Sequence, residues 1–124
     1  MTDWRAVGIG FLVGVVAGLL AFALPLIGHI GAGLVGGFAA GYVACSDHSD
    51  GLFRGAWHGL LAGAIGGIVL ALLFAVLATL VGGLIGGPVG SLLGGGGVLV
   101  VGIGIALVLA IDSAIGGAIG ALVA

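Results

Sequence analysis

Residues 54–73 read RGAWHGLLAGAIGGIVLALL, and this stretch decides the fold. Arg54 opens it, and no further charge follows until Asp112. A helix needs roughly 20 apolar residues to cross a bilayer, so the uncharged interval has room for two crossings. Within it Gly55, Gly59, Gly63 and Gly67 recur every fourth residue, continued by Ala71 and Ala75. Residues four apart share one helix face. The stretch therefore predicts an apolar helix with one edge of small residues.

The rest of the chain has the same character. Of its 124 residues 62% are hydrophobic and 5% charged, where a soluble domain carries roughly 25% charged. A buried soluble core needs a polar shell, and none is available. The charged residues are Asp3, Arg5, Asp47, Asp50, Arg54 and Asp112. The 30 glycines lie among Leu, Val, Ile and Ala. Lipid offers the backbone no alternative hydrogen-bond partner, so glycine-rich segments stay helical there. The absence of a basic patch argues against nucleic acid. A single cysteine, Cys45, allows no intrachain disulfide.

Four membrane segments are expected. The first runs from about Trp4 to Leu24 and stops before Pro25, a residue that disfavours helix at the preceding position. The second runs from about Ile27 to Cys45, joined to the first by a tight turn. The hydrophilic stretch Ser46–Gly51 follows. The third segment spans about Phe53 to Val81. A glycine-rich break is read over 82–97, and the fourth segment runs from Val98 to the end. Trp4-Arg5-Ala6 aligns with Phe53-Arg54-Gly55, and Gly10, Gly14 and Gly18 align with Gly59, Gly63 and Gly67. The whole reads as one membrane domain, 1–124, made of two hairpins, 4–45 and 53–124, repeated in parallel about an axis along the membrane normal.

Arg5 and Arg54 fall on the same side of this arrangement, which the positive-inside rule places in the cytoplasm with both termini. Trp4, Arg5, Arg54 and Trp57 are the expected interfacial anchors. The apolar run after Arg5 resembles a signal peptide. Its short, acid-containing n-region and its glycine patterning favour a retained helix.

The stripes are the main specificity signal: Gly10, Gly14 and Gly18; Gly33, Gly37 and Gly41; Gly59, Gly63 and Gly67; Gly116 and Gly120. In lipid, burying leucine against another helix gains little, whereas small residues let backbones approach and gain dispersion contacts. The stripes are expected to hold the helices together. A stripe facing outward would instead drive homo-oligomerisation.

Two polar residues stand at membrane depth. Asp112 interrupts an apolar run, and His29 heads the stripe of the second segment as Asp112 heads that of the fourth. They are expected to meet as a hydrogen-bonded pair or as a proton- or ion-handling pair. Alternatively Asp112-Ser113 caps a fourth segment that ends near Ile111. Cys45, Asp47, His48, Asp50 and His58 cluster near one loop, but their spacing fits no metal pattern, so no metal or other cofactor is expected. Ser46, Ser49, Ser91 and Ser113 lack a Gly-x-Ser-x-Gly setting. No Lys-Ser/Thr follows Gly94–Gly97 as a phosphate loop requires. No enzyme activity and no soluble small-molecule substrate is expected.

Several motifs carry a resemblance. Trp4-Arg5-Ala6-Val7, Ala23-Leu24-Pro25, Ala32-Gly33-Leu34-Val35-Gly36-Gly37, the run from Trp57 to Gly63 and the run from Ser113 to Gly120 resemble a family of short haloarchaeal membrane proteins of unknown function. The resemblance implies a polytopic protein of the cytoplasmic membrane and assigns no activity or site. The chain is also similar in plan to the rotor proteolipids of ion-driven ATPases, with Asp112 as the membrane carboxylate. It lacks their alternating glycine run and polar loop. The expected role is structural or scaffolding, with the bilayer as partner. A small transporter or channel using His29 and Asp112 is the alternative.

Overall fold

The computed structural model describes residues 1–21, 27–46 and 51–124, with the backbone alone for 27–30. These residues form three helices: α1, Trp4–Ala21; α2, Ile27–Cys45; and α3, Gly51–Val123. No strand occurs among them. α3 changes direction at Gly87, where φ is 62° and ψ is −148°. That backbone conformation is almost exclusive to glycine. Pro88 follows, with a fixed φ and no N–H, suited to starting the returning helix.

The reversal falls inside the break expected over 82–97 but takes a single residue, so the expected third and fourth segments are the two limbs of α3 on either side of Gly87. The glycines on either side of Gly87 remain helical. Each costs about 1 kcal/mol of helix propensity relative to alanine. Here that cost is offset by pairing: Gly82 lies against the Gly90 carbonyl, and Gly94 against the Ala78 carbonyl.

The limbs 51–86 and 88–123 pack antiparallel. Gly55 faces Gly117 and Ala121, Gly67 faces Ala106, and Gly102 faces Ala71. α1 and α2 form a second antiparallel pair, with Gly10 against Gly36 and Ala40, and Gly14 against Gly36. α2 also runs parallel to the 88–123 limb, matching Gly37 to Ser113 and Gly41 to Gly117. α1 follows the 51–86 limb, from Thr2–Trp57 through Asp3–His58 to Phe11–Gly66.

The interior consists of small residues: Ala6, Ala40, Ala44, Ala62, Ala106 and Ala110 are buried, and Val7 is the bulkiest apolar side chain with them. Large apolar side chains cover the outside, among them Leu19, Leu73, Leu84, Ile85 and Leu92. This inverts the pattern of a soluble domain. α1 and α3 are long and apolar enough to cross a membrane, and Gly31–Cys45 is a shorter apolar helix.

Candidate functional site

α2 and the 51–86 limb converge on the segment 109–121 of α3, which lies between them. Its centre is Ser113, 1% exposed. The Ser113 hydroxyl donates to the Gly59 carbonyl at 2.7 Å. That carbonyl belongs to the other limb, so the bond ties the two halves of α3 together. On its other side the Ser113 backbone lies so close to Gly37 that a methyl group there would collide with the Ser113 carbonyl. One turn on, Gly117 is pressed between Gly41 of α2 and Gly55 and Gly59 of α3. Gly116 and Gly120 meet the Leu34 and Phe38 carbonyls of α2.

Ser113→Ala removes one hydrogen bond in a buried seam. We expect a loss of about 1 kcal/mol of stability, read as a lower denaturing midpoint in a detergent titration. Ser113→Gly should lose about 1 kcal/mol more than Ser113→Ala, because it also gives up helix propensity and the Cβ that the serine already places in the seam.

A second polar knot joins the N-terminus to α3. His58 is 1% exposed. The Asp3 N–H donates to its Nε2 at 2.8 Å, and its Nδ1 lies 2.7 Å from the Arg54 carbonyl. A carbonyl only accepts, so the proton sits on Nδ1 and Nε2 is bare. The ring is therefore neutral in this arrangement. Asp3 also caps α1. Its Oδ1 accepts from the N–H groups of Arg5 and Ala6 at 2.9 and 3.3 Å, and its carbonyl accepts from Val7 at 3.2 Å. A carboxylate at this position satisfies N–H groups that a helix start leaves open.

Gly10, Gly14 and Gly18 face α2, the last through Ala32 at 3.9 Å. Gly33, Gly37 and Gly41 face the 88–123 limb, as do Gly59, Gly63 and Gly67. Trp4 and Trp57 are exposed at the end where α1 and α3 begin. Trp57 donates to the Thr2 hydroxyl at 3.4 Å. Arg5 is exposed and Arg54 half-buried at the same end. Asp112 is half-buried beside α2. A Cβ on Gly33 would lie 3.8 Å from the Asp112 Cβ. The expected meeting of Asp112 with His29 falls outside the described residues, because the His29 side chain is among those not described. Asp112 is no helix cap, since α3 continues to Val123. Asp47, His48 and Asp50 of the loop cluster likewise lie outside the described residues. Among the described residues no group of three His, Cys, Asp or Glu side chains could hold a metal.

Both knots bond a side chain to main-chain groups, and such pairings leave no mark in a sequence. Asp3 does carry a local signal, an acidic residue just before a helix start, which marks a cap. The role of His58 has no local signal, because its partners are the Asp3 N–H, 55 residues away, and the Arg54 carbonyl one turn back in α3.

α1 and α3 diverge above this region and leave an apolar cleft of about 370 Å³, lined by Phe11, Val15, Leu19, Leu70, Phe74 and Ser113 among others. Its polar group, the Ser113 hydroxyl, is already bonded. The cleft therefore offers hydrocarbon contact and no nucleophile or acid–base pair.

Residues 4–123 match the sequence profile described as "Family of unknown function (DUF5518)". The chain belongs to the DUF5518 family. No curated protein and no solved structure matches it. The match covers both knots except for Asp3, and all the glycines named above. The DUF5518 family's description assigns no activity, so the chemistry of this member is read from its geometry alone.

Proposed function

We propose that this DUF5518 member is a structural protein of the cytoplasmic membrane. In this reading four helical limbs are held in lipid by backbone-to-backbone packing. The observation that carries it is the inverted interior: alanine and glycine inside, leucine, isoleucine and phenylalanine outside. Exposing each large apolar side chain to water is unfavourable by roughly 1.5–3 kcal/mol. An aqueous exterior is therefore disfavoured by tens of kcal/mol in sum. Arg5, Arg54 and both tryptophans gather at one end, which the positive-inside rule assigns to the cytoplasmic face. A scaffold role fits the polar groups, since His58 and Ser113 are each engaged in holding helices together.

A second reading, proton or ion handling, is favoured by Asp112. Its side chain makes no hydrogen bond or ion pair with a described residue, although it is half-buried. An intramembrane carboxylate is costly and marks ion pathways in many membrane proteins. Purified protein in sealed liposomes separates the two. The structural reading expects proton and sodium flux equal to that of empty liposomes, unchanged by Asp112→Asn. A flux that Asp112→Asn abolishes would establish the second reading in place of the first.

A further inference from the structure

We infer that the reversal of α3 around Gly87 ends within lipid hydrocarbon, covered by acyl chains. On this view it does not emerge as a loop on the far side of the membrane. The inference rests on the membrane reading above.

Length is the first observation. Each limb of α3 is about 54 Å long at 1.5 Å per residue, against about 27 Å for α1. The glycine contacts between α3 and the other two helices reach Gly66 on one limb and Leu109 on the other, and the cleft shared with α1 reaches Phe74. From Leu77 to the turn at Gly87, about 15 Å, the hairpin continues past the described end of α1, its limbs paired through Gly82 on Gly90 and Gly94 on Ala78.

The second observation is what that arm exposes. Leu84, Ile85 and Leu92 are 88%, 84% and 79% exposed, and Leu80, Val89 and Leu93 are exposed around them. The side chains point outward on every side, so no single face is set aside for a protein partner.

Polarity is the third. A turn that reaches water or headgroups usually carries charged residues, Trp or Tyr as anchors. From His58 to Ile111 this chain has none of them. The two hydroxyls near the tip are turned inward. Thr79 donates to the Ala75 carbonyl at 2.7 Å, and Ser91 to the Pro88 carbonyl at 3.0 Å. Pro88 has no N–H to satisfy. The side chains of the tip thus ask for no water, and the Ser91 hydroxyl also lies 3.3 Å from the Gly87 carbonyl, leaving the open backbone groups of one tight turn as its remaining polar demand.

An upright hairpin of this length would push its tip about 25 Å beyond a hydrocarbon layer of about 30 Å. A tilt of about 55° keeps it inside, steeper than the 0–40° of ordinary crossing helices. Such a hairpin enters and returns through one face, held there by its polar end.

The test places a single tryptophan at the tip: Leu84→Trp, and separately Ile85→Trp, each in a Trp4→Phe/Trp57→Phe background. The proteins are reconstituted in sealed liposomes with iodide outside, or both inside and outside. Parallel samples contain lipids brominated along the acyl chain. We expect blue-shifted emission, strong quenching by bromolipid and less than 10% quenching by iodide in either arrangement. The native Trp4 and Trp57 should be quenched by iodide from one side. Iodide quenching of the tip would overturn the inference, because the turn would then lie in water. Quenching by neither reagent would also overturn it, because protein, such as a second copy, would then cover the tip. Flotation with the liposomes is scored separately: a chain that does not float refutes the membrane reading itself, whereas a floating chain with a wet tip refutes only this inference.

Discussion

Gly117→Val is expected to cost about 3 kcal/mol or more and to leave little folded protein in mild detergent. Overpacking a well-packed interior typically costs 1–3 kcal/mol, and more where backbone must move. Gly117 is such a place. A Cβ there meets the Gly55 carbonyl and lies 3.0 Å from the Gly59 Cα, while Gly41 presses from the other side. The obstructing atoms are main chain on two different helices, so no side chain can rotate out of the way. Relief requires moving α2 or a limb of α3, which opens the seam at Ser113 as well. Gly104→Ala is the matched control, since nothing lies within 4 Å of a Cβ at that position. Alanine there should be neutral or stabilising by up to about 1 kcal/mol, through helix propensity. The reporter is Cys45, which is buried. Its alkylation during an SDS titration marks the loss of packing, and the two variants should shift its midpoint in opposite directions. Equal midpoints would mean that the close approach of these backbones contributes nothing to the fold.

His58→Phe carries the second large effect, about 2 kcal/mol. Phenylalanine keeps the bulk of the ring but leaves the Asp3 N–H and the Arg54 carbonyl without their imidazole partners. Leaving a buried polar group unsatisfied costs about 1–3 kcal/mol. The damage should be local first. The start of α1 should loosen from α3, so residues 1–6 should become sensitive to protease while the Cys45 midpoint moves only modestly. His58→Gln, whose amide oxygen can still accept from Asp3, should recover part of the loss. Asp3→Asn should change little, because asparagine is as good a helix cap as aspartate and the bond to His58 uses the backbone. If His58→Phe left the N-terminal segment as protected as in the wild type, the latch would have no energetic role.

These expectations separate what the residues announce from what only the assembled chain contains. The apolar runs and the four-residue glycine spacing are local patterns, and they place α1, α2 and the start of α3 closely. The run 82–97 misleads, because isolated propensity treats glycine as a helix breaker. Pairing across the hairpin, as between Gly82 and Gly90, decides the matter and lies outside any local window. Gly87 cannot be singled out among its glycine neighbours by composition. Its neighbour Pro88 is the one local mark of the reversal. The pairing of α2 with the last segment of α3 depends on which glycine stripe meets which, a choice the stripes themselves leave open. Ser113 was legible as a polar residue in an apolar segment, but its partner, a carbonyl of Gly59, belongs to the backbone and has no signature in sequence.

The seam at 109–121 also sets an order of events. Synthesis proceeds at roughly 5–20 residues per second, N-terminus first. The α1–α2 hairpin is thus complete well before its principal partner leaves the ribosome. For several seconds Gly33, Gly37 and Gly41 must wait with their partners unmade, facing lipid or the insertion machinery. The last dozen residues act as the closing stone of the arch. A nascent chain that stalls before Leu109 would hold α1, α2 and the 51–86 limb without the segment that joins α2 to that limb.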